Sequence, residues 1–255
     1  MKYPLSLMII TLNEERNIER CIRSVPFASE ILVIDSGSAD RTCEIAASLG
    51  ARVLQKEWLG FGAQKRWGSL QAKEDWILSL DADEALSPEL AAEIQNGFSS
   101  LAEKTGYEIP RRSFHLGKWI DHGGWYPDYQ LRLYNRRFSN WPEASIHERV
   151  VAPHEKKLNH PIFHYVFENL AAQVETNNRY SGLLAEKDFA AGKRFHLLRL
   201  VVKPWTKFME TYFLKKGFLD GLPGFMISVS AAYSIFLRQA KLWEIQMKKQ
   251  KGIQK

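Results

Sequence analysis

The 255 residues contain only two cysteines, Cys21 and Cys43. So few thiols exclude a disulfide scaffold and a cysteine-ligated zinc site. They read as ordinary thiols inside the first two helices. No uncharged run reaches the ~20 residues of a spanning helix. The candidate, Gly221 to Leu237, holds 17 and is weakened by Gly221, Pro223, Gly224 and three serines. The N-terminus has no cationic leader, and Asn13-Glu14-Glu15 follows its short apolar run at once. No signal peptide is expected, and the protein is placed in the cytoplasm. Internal repeats and low-complexity linkers are absent too. What is there is a 45% apolar chain with a net charge of +6. That charge is unevenly spread. Residues 193–255 carry 13 Lys/Arg against 3 Asp/Glu, and residues 1–192 carry 22 against 26. A basic segment suits nucleic acid or an anionic membrane. This one is also rich in large apolar residues, so the expected partner is an anionic lipid surface and not nucleic acid.

Size and charge predict an α/β domain over 1–192 and a basic, apolar helical tail over 193–255. In the tail, Phe195–Tyr212 mixes apolar residues with His196, Arg199, Lys203 and Lys207. Together with Gly221–Leu237, this segment predicts an interfacial anchor lying on the inner leaflet and not crossing it; the alternative is that both helices pack on the catalytic domain.

Within the first domain, three strand patterns each end in polar residues. Leu5–Leu12 runs into Asn13-Glu14-Glu15, which is expected to start a helix reaching about Ser24. Glu30–Ile34 runs into Asp35-Ser36-Gly37-Ser38-Ala39-Asp40. Trp76–Leu80 runs into Asp81-Ala82-Asp83. Gly37 permits a tight turn, and Asp40 suits the cap of the next helix. In open α/β sheets, ligands bind outside the carboxyl ends of the strands, so Thr11–Glu14, Asp35–Asp40 and Asp81–Asp83 are expected to share one crevice. Two carboxylates that close repel unless a cation lies between them. Hard ions such as Mg²⁺ or Mn²⁺ take oxygen ligands and leave positions for phosphate. Further strands are predicted at Arg52–Gln55, Gly106–Arg111 and Gln130–Asn135. Ser87-Pro88-Glu89-Leu90 is a helix start. The aromatic, Gly-containing segment Ser113–Pro127 reads either as an irregular loop or as an acceptor platform.

These motifs resemble those of family 2 glycosyltransferases of the GT-A fold. The resemblance rests on Thr11-Leu12-Asn13-Glu14-Glu15, Val33-Ile34-Asp35-Ser36-Gly37-Ser38-Ala39-Asp40 and Leu80-Asp81-Ala82-Asp83. Tyr126–Tyr134, Ile146-His147-Glu148 and Lys215–Phe225 are similar to one subgroup, which adds a sugar to the inner core of lipopolysaccharide, typically as a β-1,4-glucosyltransferase. The fold implied is a Rossmann-like, mixed but mostly parallel sheet flanked by helices, with the tail as a membrane-associating appendage. The activity implied is inverting hexosyl transfer from a nucleotide diphosphate sugar, such as UDP-glucose, with Mg²⁺ or Mn²⁺.

The resemblance also implies roles. Thr11, Asn13, Glu14, Asp35, Ser36, Gly37 and Asp81 would bind the nucleotide, with Asp35 at the base and Asp81 at the ribose or metal. Asp83 would ligate the ion, with Asp81 and His164 as further ligands. Glu148 is the first candidate for the base, Asp128 the second. Lys65 and Arg66 read as phosphate-side cations or as a solvated helix face. Arg132, Arg136 and Arg137 are candidates for acidic groups on the acceptor. Three other readings remain open: a transferase using a polyprenyl phosphate acceptor, a nucleotidyltransferase, and a non-enzymatic membrane-bound scaffold, against which the intact Asp35, Asp81 and Asp83 argue. The second would need a Gly- and Lys/Arg-rich phosphate loop, which Thr11–Glu15 lacks.

Overall fold

The computed structural model describes residues 2–142, 149–167 and 169–250. The elements are β1 (Tyr3–Thr11), α1 (Ile18–Arg23), β2 (Ala28–Asp35), α2 (Thr42–Ser48), β3 (Arg52–Gln55), α3 (Phe61–Gln71), β4 (Trp76–Asp81), β5 (Glu84–Leu86), α4 (Pro88–Gly97), β6 (Thr105–His115), β7 (Lys118–Ile120), β8 (Asp128–Asn135), β9 (His154–Lys157), β10 (Ile162–His164), α5 (Leu170–Ala190), α6 (Leu197–Met209) and α7 (Gly221–Gln250). A π turn, Glu210–Leu214, and a 3₁₀ turn, Gly217–Asp220, join the last two helices. The chain forms two compact units: Met1–Arg112 with Pro127–Tyr165, and Ser113–Tyr126 with Val166–Lys255. The division expected at residue 192 falls inside the second unit, between α5 and α6.

In the first unit the strand order is β3-β2-β1-β4-β8-β6-β10-β5, with β9 beside β6. β3, β2, β1 and β4 are parallel to one another. β8 then pairs antiparallel with β4, and β6 antiparallel with β8. The reason lies in β1, whose residues from Leu5 onward are all buried. Leu5, Leu7 and Ile9 join Ile18, Cys21 and Leu90 in one core. Met8 and Ile10 join Ile34, Ile77, Tyr134 and Trp141 in another. A strand covered on both faces reads as a continuous apolar run.

Two local outcomes differ from the sequence reading. α1 begins at Ile18, five residues later than expected. Asn13 takes a left-handed backbone (φ 54°), its side-chain oxygen accepts from Ala39 N at 2.8 Å, and its own N–H donates to the Ser38 hydroxyl at 2.8 Å. Residues 13–17 are therefore tied to the next loop instead of coiling. The second difference is the segment Ser113–Pro127, half of which is a hairpin, with Ser113 opposite Ile120. The expected helix start at Ser87 is present: its hydroxyl accepts from Leu90 N at 3.1 Å.

In the second unit, α7 packs on α5 and α6. α5 and α7 are joined by the Asp188 carboxylate, which Arg238 reaches at 2.6 Å. α7 approaches the 3₁₀ turn so closely that a Cβ on Gly224 would lie 1.9 Å from the Gly217 carbonyl oxygen. Backbone must then move. Gly224→Ala is expected to lower stability by about 1–3 kcal/mol, the usual effect of overpacking; urea unfolding checks it. A variant as stable as the parent would show that the turn gives way freely.

Candidate active site

The strand ends meet in register. Thr11 pairs with Asp35 across β1 and β2, and Ile10 pairs with Asp81 across β1 and β4. The three polar clusters therefore share one rim. Asp35 is fully buried and closes its own turn: its carboxylate accepts from Gly37 N and Ser38 N at 2.9 Å and from the Ser38 hydroxyl. Gly37 supplies the required positive φ of 100°. Ser36 N donates to the Thr11 carbonyl at 3.0 Å. Its hydroxyl accepts from the buried Gln64 at 3.2 Å. Glu14 N donates to Thr42 Oγ1 at 2.7 Å, locking the first loop to the second. Burial pushes the Glu14 carboxyl above its ordinary value, and the charges of Asp83 and Asp40 add to the rise. Thr11 Oγ1 is buried and has no hydrogen-bond partner among the described residues.

The Asp-x-Asp pair divides its labour. Asp81 Oδ1 faces Lys65 Nζ at 2.6 Å, and its Oδ2 faces Arg132 Nη2 at 2.7 Å. Arg132 Nη2 also reaches Glu84 Oε1 at 2.6 Å. Arg111 joins Glu84 at 3.4 Å to Asp128 at 2.6 Å. The result is a chain of alternating charge, Lys65–Asp81–Arg132–Glu84–Arg111–Asp128. Burial alone would raise the Asp81 carboxyl, but Arg132 and Lys65 hold it far below the usual carboxylate range. Burial pulls the Lys65 ammonium down, and Arg132 adds to that. A cavity of about 150 Å³ opens against this row, lined by Phe61, Lys65, Asp81, Gln130, Arg132 and Trp141 among others.

Asp81, expected as a metal ligand, thus has both oxygens turned to fixed cations. Asp83 differs: its Oδ2 lies 3.3 Å from His164 Nε2. The pairing of His164 with Glu84 on β10 and β5 brings the histidine there. Among the described residues, no three His, Cys, Asp or Glu side chains form a ready metal cage. Mg²⁺ does not need one, since it binds through one or two carboxylates and takes other oxygens from substrate phosphate and water. Asp83 fits that pattern by itself, and the His164 nitrogen beside it suits Mn²⁺ better than Mg²⁺.

Other expected residues fall elsewhere. Asp128 is held by Arg111 and by Gln130 Nε2 at 2.8 Å. Glu148 lies outside the described residues. Arg136 and Arg137 are not at the rim. β8 runs antiparallel to β4 and pairs Asn135 with Trp76, so the two arginines sit by Asp75, at the opposite end of β4 from Asp81. Arg66 donates to the Trp141 carbonyl at 2.9 Å. Glu84, Arg111 and Gln64 went unnoticed in the sequence. For Glu84 a signal existed: a charge opening the short run Glu84-Ala85-Leu86, every residue of which is buried.

Comparison with known proteins agrees with this geometry. The family described as Glycosyl transferase family 2 matches residues 6–152. An uncharacterized glycosyltransferase of Rickettsia bellii is 35% identical over 95% of this chain and 87% of its own length. The lipopolysaccharide core biosynthesis glycosyltransferase LpsC of Rhizobium meliloti is 28% identical over 95% of this chain and 93% of its own. A crystal structure of S. aureus TarS 1-349 in complex with UDP-GlcNAc is similar in fold, with a TM-score of 0.50 at 13% identity, covering 99% of this chain and 92% of that one. A crevice of acids at parallel strand ends and a family match over more than half of the chain lead to one conclusion: the chain belongs to glycosyl transferase family 2 and is a glycosyltransferase.

Proposed function

We propose that this enzyme moves a hexose, glucose from UDP-glucose, onto the inner core of lipopolysaccharide in a single inverting displacement. It would work at the cytoplasmic face of the inner membrane. The observation that carries the reading is the rim: Asp83 beside His164, and Asp81 set between two buried cations. The full-length likeness to a protein named for lipopolysaccharide core biosynthesis supports the acceptor.

Each part of the donor has a counterpart in the chain. The unpartnered Thr11 hydroxyl and the Asp35–Ser38 turn would take the nucleoside. Asp83 and His164 would hold a divalent ion, which when bound neutralises charge on the departing diphosphate. Lys65 and Arg132 are already fixed on either side of Asp81, offsetting its charge and that of Glu84, so this wall of the site is held in place without rearrangement. The attacking hydroxyl needs a base. Asp128 is occupied by Arg111, which favours Glu148.

Acceptor-dependent UDP release with UDP-glucose, Mg²⁺ and purified core oligosaccharide tests the reading. Release that requires a polyprenyl phosphate instead would replace the acceptor. Glu148→Gln is expected to lower kcat about 10²–10⁴-fold, the usual contribution of a general base, with donor binding unchanged by calorimetry. Survival of turnover in that variant, together with its loss in Asp128→Asn, would move the base to Asp128.

A further inference from the structure

α6 has no buried residue. Leu197, Leu198, Val201, Val202, Trp205 and Met209 are exposed, at 37% to 74%. At ~100° per residue these six fall within an arc of about 140°. Arg199, Lys203 and Lys207, four residues apart, form a separate row on the far side. The helix meets its own unit along the edge of Leu200, Pro204 and Phe208, which are half-buried; Phe208, at one border of the apolar arc, packs against Phe225 with ring centroids 5.9 Å apart. Amphipathic helices normally turn their apolar arc to a core; this one turns it outward. The exposed apolar surface continues past α6 through Phe213, Leu214, Phe218 and Leu219, with Lys215 and Lys216 between them.

Charge decides among the candidate occupants. Residues 193–255 carry 13 Lys/Arg against 3 Asp/Glu, so a second copy would set two strongly basic surfaces face to face. An anionic bilayer meets both the apolar arc and the lysines. A spanning role for α7 fits less well, although Gly217–Gln250 is long and apolar enough by composition. Its uncharged stretch of 17 residues covers only about 25 Å of a ~30 Å hydrocarbon core. α7 is also tied sideways to α5 by polar contacts, Asn177 to Ser230 at 2.6 Å and Asp188 to Arg238.

We propose that α6 and the π turn after it lie flat in the headgroup region of an anionic leaflet, apolar arc inward, with the row at Arg199, Lys203 and Lys207 and the Lys215–Lys216 pair near lipid phosphates, Lys207 and Lys215 keeping their ion pairs with Glu210 at 3.1 and 2.6 Å. The docking element also holds the loop that follows β7. Asp220, buried at the end of the 3₁₀ turn, accepts from His122 N at 2.8 Å and lies 3.1 Å from His122 Nδ1. Gly123 N donates to the Lys215 carbonyl at 2.8 Å. The Gly123-Gly124-Trp125-Tyr126 segment is therefore fastened to the part of the chain that meets lipid. Only this last consequence, delivery of a lipid-borne acceptor to that segment, rests on the proposed function. The membrane seat does not.

Co-sedimentation of the full chain with phosphatidylcholine vesicles, with and without phosphatidylglycerol, is the test. The parent is expected to bind the anionic vesicles at least about tenfold better than the neutral ones, given several basic side chains near the surface. The triple variant Leu198→Glu/Val202→Glu/Trp205→Glu is expected to lose that binding while keeping its melting temperature, because all three side chains are exposed. The variant Arg199→Gln/Lys203→Gln/Lys207→Gln, which leaves the apolar arc intact, is expected to lose the preference for anionic lipid. Turnover of a delipidated, water-soluble core acceptor should be unchanged in both, which separates failure of the seat from failure of the enzyme reading. Four results would overturn the proposal: undiminished vesicle binding by the triple variant, loss of its fold, retention of the parent in the bilayer after an alkaline carbonate wash, or a lipid-free dimer that the triple variant dissolves.

Discussion

Arg132→Met is expected to destabilise the protein by about 3–5 kcal/mol, the usual consequence of removing one partner from a buried ion pair. Arg132 is 4% exposed and Glu84 is fully buried. The guanidinium neutralises both Glu84 and Asp81, at 2.6 and 2.7 Å. Methionine fills similar volume but leaves two carboxylates in one apolar setting, with only Lys65 and the more distant Arg111 beside them. Urea unfolding at neutral pH measures the loss, and a value under about 1 kcal/mol would mean that water or rearrangement supplies the missing charge. Acid dependence gives a second readout. Asp81 is held far below its ordinary value in the folded chain. Its contribution is complete above the unfolded value near 4 and is lost as the pH falls through the folded value. The parent should therefore keep its advantage over the variant through neutral pH and lose it only on strong acidification.

Asp83→Ala should act on rate instead of stability. The side chain lies at the open rim, 26% exposed, so unfolding free energy should change by no more than about 0.5 kcal/mol. Transfer should fall about 10³-fold or more, because the carboxylate proposed to hold the ion that would neutralise the leaving diphosphate is gone. Calorimetry of UDP-glucose binding with and without Mg²⁺ distinguishes causes: the metal-dependent part of the affinity should vanish, while the part proposed to come from the Asp35 turn should remain. The Glu14 carboxyl, raised in part by Asp83, should also titrate lower in the variant. Retention of more than a tenth of the activity would remove Asp83 from the metal site.

The contrast between these two acids shows what a linear chain conceals. Asp81 and Asp83 stand two residues apart and look alike on paper. Their roles diverge because β4 ends at Asp81, which directs one carboxylate against α3 and β8 and releases the other to the rim. Lys65 was equally ambiguous. α3 buries Gln64, Lys65, Gly68 and Ser69, while Phe61 and Leu70 are exposed. The helix thus turns a polar face inward, and hydrophobic periodicity, which assumes the reverse, has no grip on it. Arg136 and Arg137, named in the sequence only as candidates for acidic groups on the acceptor, lie away from the rim for a topological reason. Their position relative to the rim depends on the direction of β8, and an apolar run carries no arrow.

Much was nonetheless written in local chemistry. Runs of β-branched and aliphatic residues specify β1, β2 and β4, because burial on both faces leaves no other option for them. Ser87 with Pro88 specifies the start of α4, since a hydroxyl acceptor and a fixed φ act within one turn. The order of Asn13-Glu14, Asp35–Asp40 and Asp81–Asp83 along the chain was enough to place a ligand crevice and a family. Tertiary structure alone decided which other charges meet: Lys65 and Arg132 with Asp81, Asp220 with His122. Those pairings join residues 16 to 98 positions apart, and no propensity or spacing rule reaches that far. Only the packing of strand on strand and helix on sheet brings such groups within Coulomb range.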